Sequence, residues 1–385
     1  MNFDKLTNRF NTNSYKWDCK ENELPMSIAD MDFEVASEIY EALLDRAKAK
    51  TFGYSFAPDA YFDAYISWFK TRYNLSINAD ELIYSLGVVP SISSIVRKIT
   101  SVGENILIQS PVYNIFYNSI VNNGRNIVSN DLVYSDGKYS IDFDDLELKL
   151  QNKQTSLMIL CNPHNPVGRV WTKEELEKIG ELCHKYNVVV LSDEIHCDIT
   201  RPGVKYTPFA SVNEVNKSIS ITCLAPTKTF NLAGLQTSVV YIPNKYLYHK
   251  VWRGLNTDEV AEGNAFSYDP VIAAYNKCGY WVDAMREYVW ENKRVLKEFI
   301  ENEIPQIKYI DSDATYLAWI DLGCITNDSS DFCKFLQEKT GLILNSGSSY
   351  GPNGKTFVRM NLATSRIRVL DGLNRLKEAV NSYGE

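Results

Sequence analysis

Five short apolar runs, each closed by a polar turn, constrain this chain more than any other feature. They are Leu82-Ile-Tyr-Ser-Leu86, Asn105-Ile-Leu-Ile-Gln109, Ser156-Leu-Met-Ile-Leu-Cys161, Val188-Val-Val-Leu-Ser192 and Ser218-Ile-Ser-Ile-Thr-Cys223. A strand with one wet face alternates apolar and polar residues. These runs are close to continuous, so they read as strands buried on both faces, as in a parallel sheet covered by helices. Helical stretches separate them. The clearest runs from Thr172 to Tyr186, where Thr172 and Glu175 match a capping box.

The flanks read differently. Phe33 to Lys50 is an amphipathic helix with Val35, Ile39, Leu43 and Ala47 on one stripe, and Pro58 to Tyr73 is another, rich in aromatics. From about Asp269 a long helical stretch runs to near Glu303. Two more apolar strands, Thr315–Ile320 and Thr356–Asn361, then alternate with helices at 329–340 and 366–381. A chain of 385 residues exceeds what one core serves. The expected division is a large domain over 46–282 and a smaller α+β domain made of 1–45 and 283–385.

Composition narrows the partners. Hydrophobic content is 45%, as in a soluble protein, and no window offers the roughly 18 apolar residues of a membrane span. The first ten residues hold no apolar signal core. A net charge of −8, with both signs mixed along the chain, argues against nucleic acid. The eight cysteines include no C-x-x-C pair, so free, buried thiols in a reducing cytoplasm are expected. Four histidines without ligand spacing give no reason to expect a metal.

In open parallel sheets, ligands bind beyond the carboxyl ends of the strands. The polar residues that close the runs therefore belong together. They are Gly87-Val-Val-Pro90 opening a helix, Asn162-Pro-His-Asn-Pro-Val-Gly168, Asp193-Glu-Ile-His196, and Ala225-Pro-Thr-Lys-Thr-Phe-Asn231. Each alone is an ordinary turn or cap. Together they put a lysine, Lys228, and an aspartate, Asp193, at the ends of neighbouring strands. A lysine just past a buried strand reaches into a cleft, where an enzyme that holds an aldehyde cofactor needs one.

This ordered set resembles the pyridoxal-phosphate enzymes of fold type I, and among them the MalY/PatB-type cystathionine β-lyases, relatives of the class I/II aminotransferases. Ser27-Ile-Ala-Asp-Met-Asp-Phe33 and Phe357-Val-Arg-Met-Asn361 resemble the N- and C-terminal signatures of that group. The resemblance covers essentially the whole chain. It implies a large domain with a mostly parallel central sheet flanked by helices, a smaller α+β domain, and pyridoxal 5′-phosphate as cofactor.

The resemblance also implies roles. Lys228 would carry the cofactor as a Schiff base and then act as the base at Cα. Asp193 would pair with the protonated ring nitrogen, Asn165 would bond the ring 3′-oxygen, and Tyr113 would stack on the ring. The amides of Val88 and Val89 and the Thr227 hydroxyl would take the phosphate, with Tyr54 of a neighbouring subunit, so the unit would be a homodimer. Arg359 would fork the substrate carboxylate and Ala29 would border the substrate. His196 either contacts the 3′-oxygen region or is a core histidine.

Two departures from the wider aminotransferase pattern are Ala225, often serine, and Gln236, often a phosphate-binding arginine. The loop Gly347–Gly354 either borders the substrate side chain or is a plain connection. The expected activity is β-elimination of a thiol from an amino acid, yielding pyruvate and ammonia. An aminotransferase is the alternative, followed by a cofactor-bound regulatory protein.

Overall fold

In the computed structural model, which describes residues 1–383, all five apolar runs enter one seven-stranded sheet. Its order is Leu82–Ser85, Ser238–Tyr241, Ser220–Leu224, Val189–Asp193, Thr155–Cys161, Asn105–Ile108, Asn126–Ser129. From Ser220–Leu224 to Asn126–Ser129 the neighbours are parallel. Ser238–Tyr241 is a strand that the apolar runs do not announce, and it lies antiparallel to both neighbours. Residues 225–237 hold only a short 3-10 turn, Ala233–Leu235. A parallel return needs a crossover, usually helical, so the chain comes back antiparallel.

The continuous apolar pattern follows from two cores. Ile106, Ile108, Leu157, Ile159, Leu191 and Ile221 point to one face, against helices Val88–Ile99, Asn114–Val121 and Lys245–Thr257. Leu107, Met158, Leu160 and Val190 point to the other, against Phe143–Leu150 and Lys173–Lys185. Each such side chain contributes about 1.5–3 kcal/mol by burial. The helix Lys173–Lys185 starts with the expected reciprocal cap. Thr172 Oγ1 accepts from Glu175 N at 3.1 Å, and Glu175 Oε2 accepts from Thr172 N at 2.8 Å.

The long C-terminal helical stretch is two helices, Asp269–Lys277 and Gly279–Glu303, broken where Cys278 leaves helical geometry. The second bridges the molecule. Trp281, Val282, Met285 and Val289 join the core under Ser37–Lys48 and Asp59–Tyr73, while Leu296 and Ile300 join a separate core. That core lies on an antiparallel sheet of Lys308–Ile310, Leu317–Asp321, Phe357–Asn361 and Asn345–Ser346. The N-terminal pair Leu24–Pro25 runs parallel to Leu342–Ile343, and helix Ser37–Lys48 packs on Asp269–Lys277.

All eight cysteines are free. Five are buried, whereas Cys324 is exposed and Cys19 and Cys333 are half-buried. Among the described residues no helix is long and apolar enough to cross a membrane.

One glycine joins the two parts. Gly168 has φ +72°, and its carbonyl accepts from the amides of Asp313 and Ala314 at 2.8 and 2.9 Å. A Cβ there would stand 2.4 Å from Ser312 Cβ. Gly168→Ala should therefore cost about 1–3 kcal/mol, combining a left-handed backbone with a clash. Thermal unfolding of the variant reads this, and an unchanged midpoint would contradict it.

Candidate functional site

The strand ends meet at one cavity of about 300 Å³. Ala29, Val88, Val89, Tyr113, Asn165, Asp193, His196, Thr227 and Lys228 all line it. The register explains the convergence. Asp193 is the last residue of its strand and pairs across to Cys161 on one side and Cys223 on the other. Asn165 and Lys228 lie a few residues past those flanking strands.

Asp193 and Lys228 are held close without bonding each other. Asp193 Oδ1 accepts from its own turn, Ile195 N, at 3.2 Å, and the carboxylate has no other hydrogen bond among the described residues. Burial raises its pKa to about 7, against the pull of that amide and of Lys228. The Lys228 Nζ donates to the Ala29 carbonyl. Burial lowers its pKa to about 8, and Arg359 pushes the same way, while Asp30 and Asp193 oppose. Each group is thus moved toward its neutral form.

Arg359 sits behind the cavity, buried on the strand Phe357–Asn361. Its guanidinium donates to Asn165 Oδ1 at 3.2 Å, Ser27 O at 3.0 Å and Asn345 Oδ1 at 3.2 Å, and lies 5.0 Å from the Tyr350 ring centroid. Among the described residues no carboxylate pairs with it, and its Nε has no acceptor. A buried cation held only by neutral oxygens is a receptor for an anion. The Arg359 bond also occupies Asn165 Oδ1, leaving the amide Nδ2 to donate elsewhere.

His196 is not a satisfied core histidine. It lines the cavity, and its buried Nδ1 has no partner among the described residues. Burial lowers its pKa to about 3, so the ring is neutral. The helix Val88–Ile99 starts at Gly87 without a side-chain cap, so its first amides remain free to meet an anion at the cavity. Gln236 lies on the exposed rim. Tyr54 is fully exposed and does not line the cavity of its own chain.

Some contributors are not announced by the strand ends. Buried Tyr316 donates to Ala29 O at 2.9 Å and lies edge-on to His196. Asn231 bonds the backbone of Met31 and Phe33. Asn231 is visible at the end of the lysine motif, but Tyr316 sits in an apolar run and reads as core.

Known proteins resemble this chain over nearly its whole length. A family model described as aminotransferase class I and II matches residues 21–374. Cystathionine beta-lyase PatB of Bacillus subtilis is 41% identical, over 99% of this chain and 100% of its own. Cystalysin from Treponema denticola, whose crystal structure contains pyridoxal 5′-phosphate, superposes with a TM-score of 0.96 at 33% identity, over 99% of this chain and 98% of its own. A PLP-bound C-S lyase from Staphylococcus hominis superposes with a TM-score of 0.93 at 33% identity, with the same coverage.

The Asp193 geometry makes a pH prediction for cofactor-free protein. A carboxyl raised from 3.8 to about 7 stabilises the fold below the lower value and loses that contribution as pH rises to the higher one. Asp193→Asn removes this loss. Denaturant unfolding should show the variant gaining on the parent between about pH 4 and pH 7. A difference independent of pH would contradict a buried, titrating Asp193.

Proposed function

This chain belongs to the class I and II aminotransferase family, and from that premise we propose that it is a pyridoxal-phosphate-dependent carbon–sulfur β-lyase. Its substrate is an amino acid with a thioether or thiol at Cβ, cystathionine first among them. The observation that carries this reading is one cavity lined by a buried amine and by a buried carboxylate without a cationic hydrogen-bond partner, with a buried arginine behind it that pairs with no acid among the described residues, in a chain so similar to a cystathionine β-lyase.

The residues fit the cofactor. Lys228 suits its aldehyde, the free oxygen of Asp193 its ring nitrogen, and Tyr113 its ring face. Asn165 Nδ2 and the His196 side chain suit the ring 3′-oxygen region. The amides of Val88 and Val89 and the Thr227 hydroxyl suit its phosphate, with no arginine at Gln236 to help. When bound, pyridoxal phosphate supplies an electrophile for an amine and a ring that stores the electron pair left at Cα.

The side chains then divide the work. Arg359 exchanges its carbonyl and amide oxygens for the substrate carboxylate, a planar two-point grip that also fixes the Cα–H direction. Asp193 stays ionised beside a cationic ring nitrogen and keeps the proton there. Lys228, freed from the cofactor, takes the Cα proton as a neutral amine. It then stands as an ammonium that can protonate the departing sulfur. The Cβ–S bond breaks with its electron pair leaving on sulfur, and hydrolysis of the remaining three-carbon amino fragment gives pyruvate from its carbons and ammonia from its nitrogen.

The active unit in this reading is a homodimer in the cytoplasm. Tyr54 is exposed between Phe52 and Phe56, both exposed as well, a patch suited to a second copy. The partner's Tyr54 would then complete the phosphate site. Five buried free thiols suit a reducing compartment.

Two measurements test the reading. Cystathionine without any added 2-oxo acid should yield pyruvate and a thiol product. Fast amino transfer to a 2-oxo acid with no pyruvate would make the protein an aminotransferase instead. For the shared site, Lys228→Ala and Tyr54→Phe chains, each impaired alone, should recover activity when mixed and refolded together, because one site of the hybrid is intact. No recovery, or a fully active monomer, would overturn the shared site.

A further inference from the structure

The segment Ser27–Phe33 is bonded through its backbone to Lys228 and to four side chains around the cavity, those of Arg359, Asn361, Tyr316 and Asn231. Arg359 donates to Ser27 O, and Asn361 donates to Ile28 O and Asp30 O, both at 2.6 Å. Tyr316 and Lys228 both donate to Ala29 O. Asn231, three residues beyond Lys228, pairs with Met31 N and O at 3.0 Å each. The segment is thus a strap tied at one end to the strand of Arg359 and at the other to the loop of Lys228.

A cluster of charges pins this strap from behind. Asp30 accepts from Arg9 at 3.1 and 2.9 Å through both of its oxygens, with Lys16 at 3.7 Å. Lys16 also donates to the Asp30 carbonyl at 3.3 Å. Asp32, deeper, is held by Arg9 at 3.0 Å, Lys16 at 3.1 Å, Arg368 at 3.7 Å and the Trp17 indole at 2.9 Å. Asp32 is enclosed and serves the fold. Asp30 is partly open and is the residue directly after Ala29.

We propose that Asp30 is a positioning residue for Lys228: gripped by Arg9 and Lys16, it fixes the Ala29 carbonyl that holds the lysine amine. The inference rests on the lyase reading, because it concerns the amine that reading employs. It adds a control on Lys228 that does not touch substrate or cofactor. The charged groups that act on the Lys228 amine are Asp193 from the sheet, Arg359 from the small sheet and Asp30 from the strap, with neutral His196 nearby and the Tyr316 hydroxyl on the same Ala29 carbonyl. Asp30 and Asp193 are its two anions, so loss of Asp30 disfavours the cationic form.

The test compares holoenzyme carrying Asp30→Asn and Asp30→Glu with the parent. Asp30→Asn should keep its fold by circular dichroism and its cofactor on Lys228. Its kcat should fall about tenfold with KM changed by no more than about twofold. The pH midpoint of the cofactor's visible band should fall by about half a unit, because an anion near a cation has been removed. Asp30→Glu should restore most of both. An unchanged kcat and midpoint in Asp30→Asn would overturn the proposal. A lower kcat with an unmoved midpoint and no rescue by Asp30→Glu would overturn it too, leaving a structural role alone. Cofactor bound on a different lysine in the parent would instead overturn the lyase reading.

Discussion

A buried amine and a buried carboxylate share one cavity here and do not bond. Contact would have made Lys228 and Asp193 an ion pair, each holding the other charged. Separation lets burial act on both, taking the amine to about 8 and the carboxyl to about 7. Both are left available to a ligand. Two features hold them apart. The strand register fixes Asp193 between Cys161 and Cys223. The Ala29 carbonyl draws the lysine toward the strap.

The second dependence is on two sheets meeting at that cavity. Lys228 and Asp193 come from the seven-stranded sheet, and Arg359 from the four-stranded one, where it pairs with Trp319 and Asn345. The helix Gly279–Glu303 has one end in each core, and Gly168 receives two amides from the segment before Leu317. The anion receptor is therefore placed by one core and the amine by the other. Asn165, bonded to Arg359 and lining the cavity, is the side chain where the two meet.

Much of this is legible in the sequence because strand ends are legible. A polar residue directly after a doubly buried run has to emerge at the sheet's edge, so Asp193, Asn165, Lys228 and the Val88–Val89 turn group together on sequence alone. The strand Ser238–Tyr241 does not, since its four residues follow a loop with no helix and resemble a short connection. The break at Cys278 is hidden because helical periodicity resumes at once at Gly279. The strap is legible only as a resemblance. Its role is carried by backbone carbonyls, which have no sequence signature, and by Tyr316, whose hydroxyl function is invisible in an apolar run. His196 stays undecided in sequence because both of its readings are local. What separates them is that the residue lines the cavity and that its buried Nδ1 has no partner among the described residues.

The central claim is that the cavity amine, Lys228, holds the cofactor. Borohydride reduction of the purified protein, followed by peptide mapping, locates the bound cofactor. The reduced cofactor is expected on the single peptide that contains Lys228. Cofactor fixed on any other lysine, or none fixed at all, would contradict it.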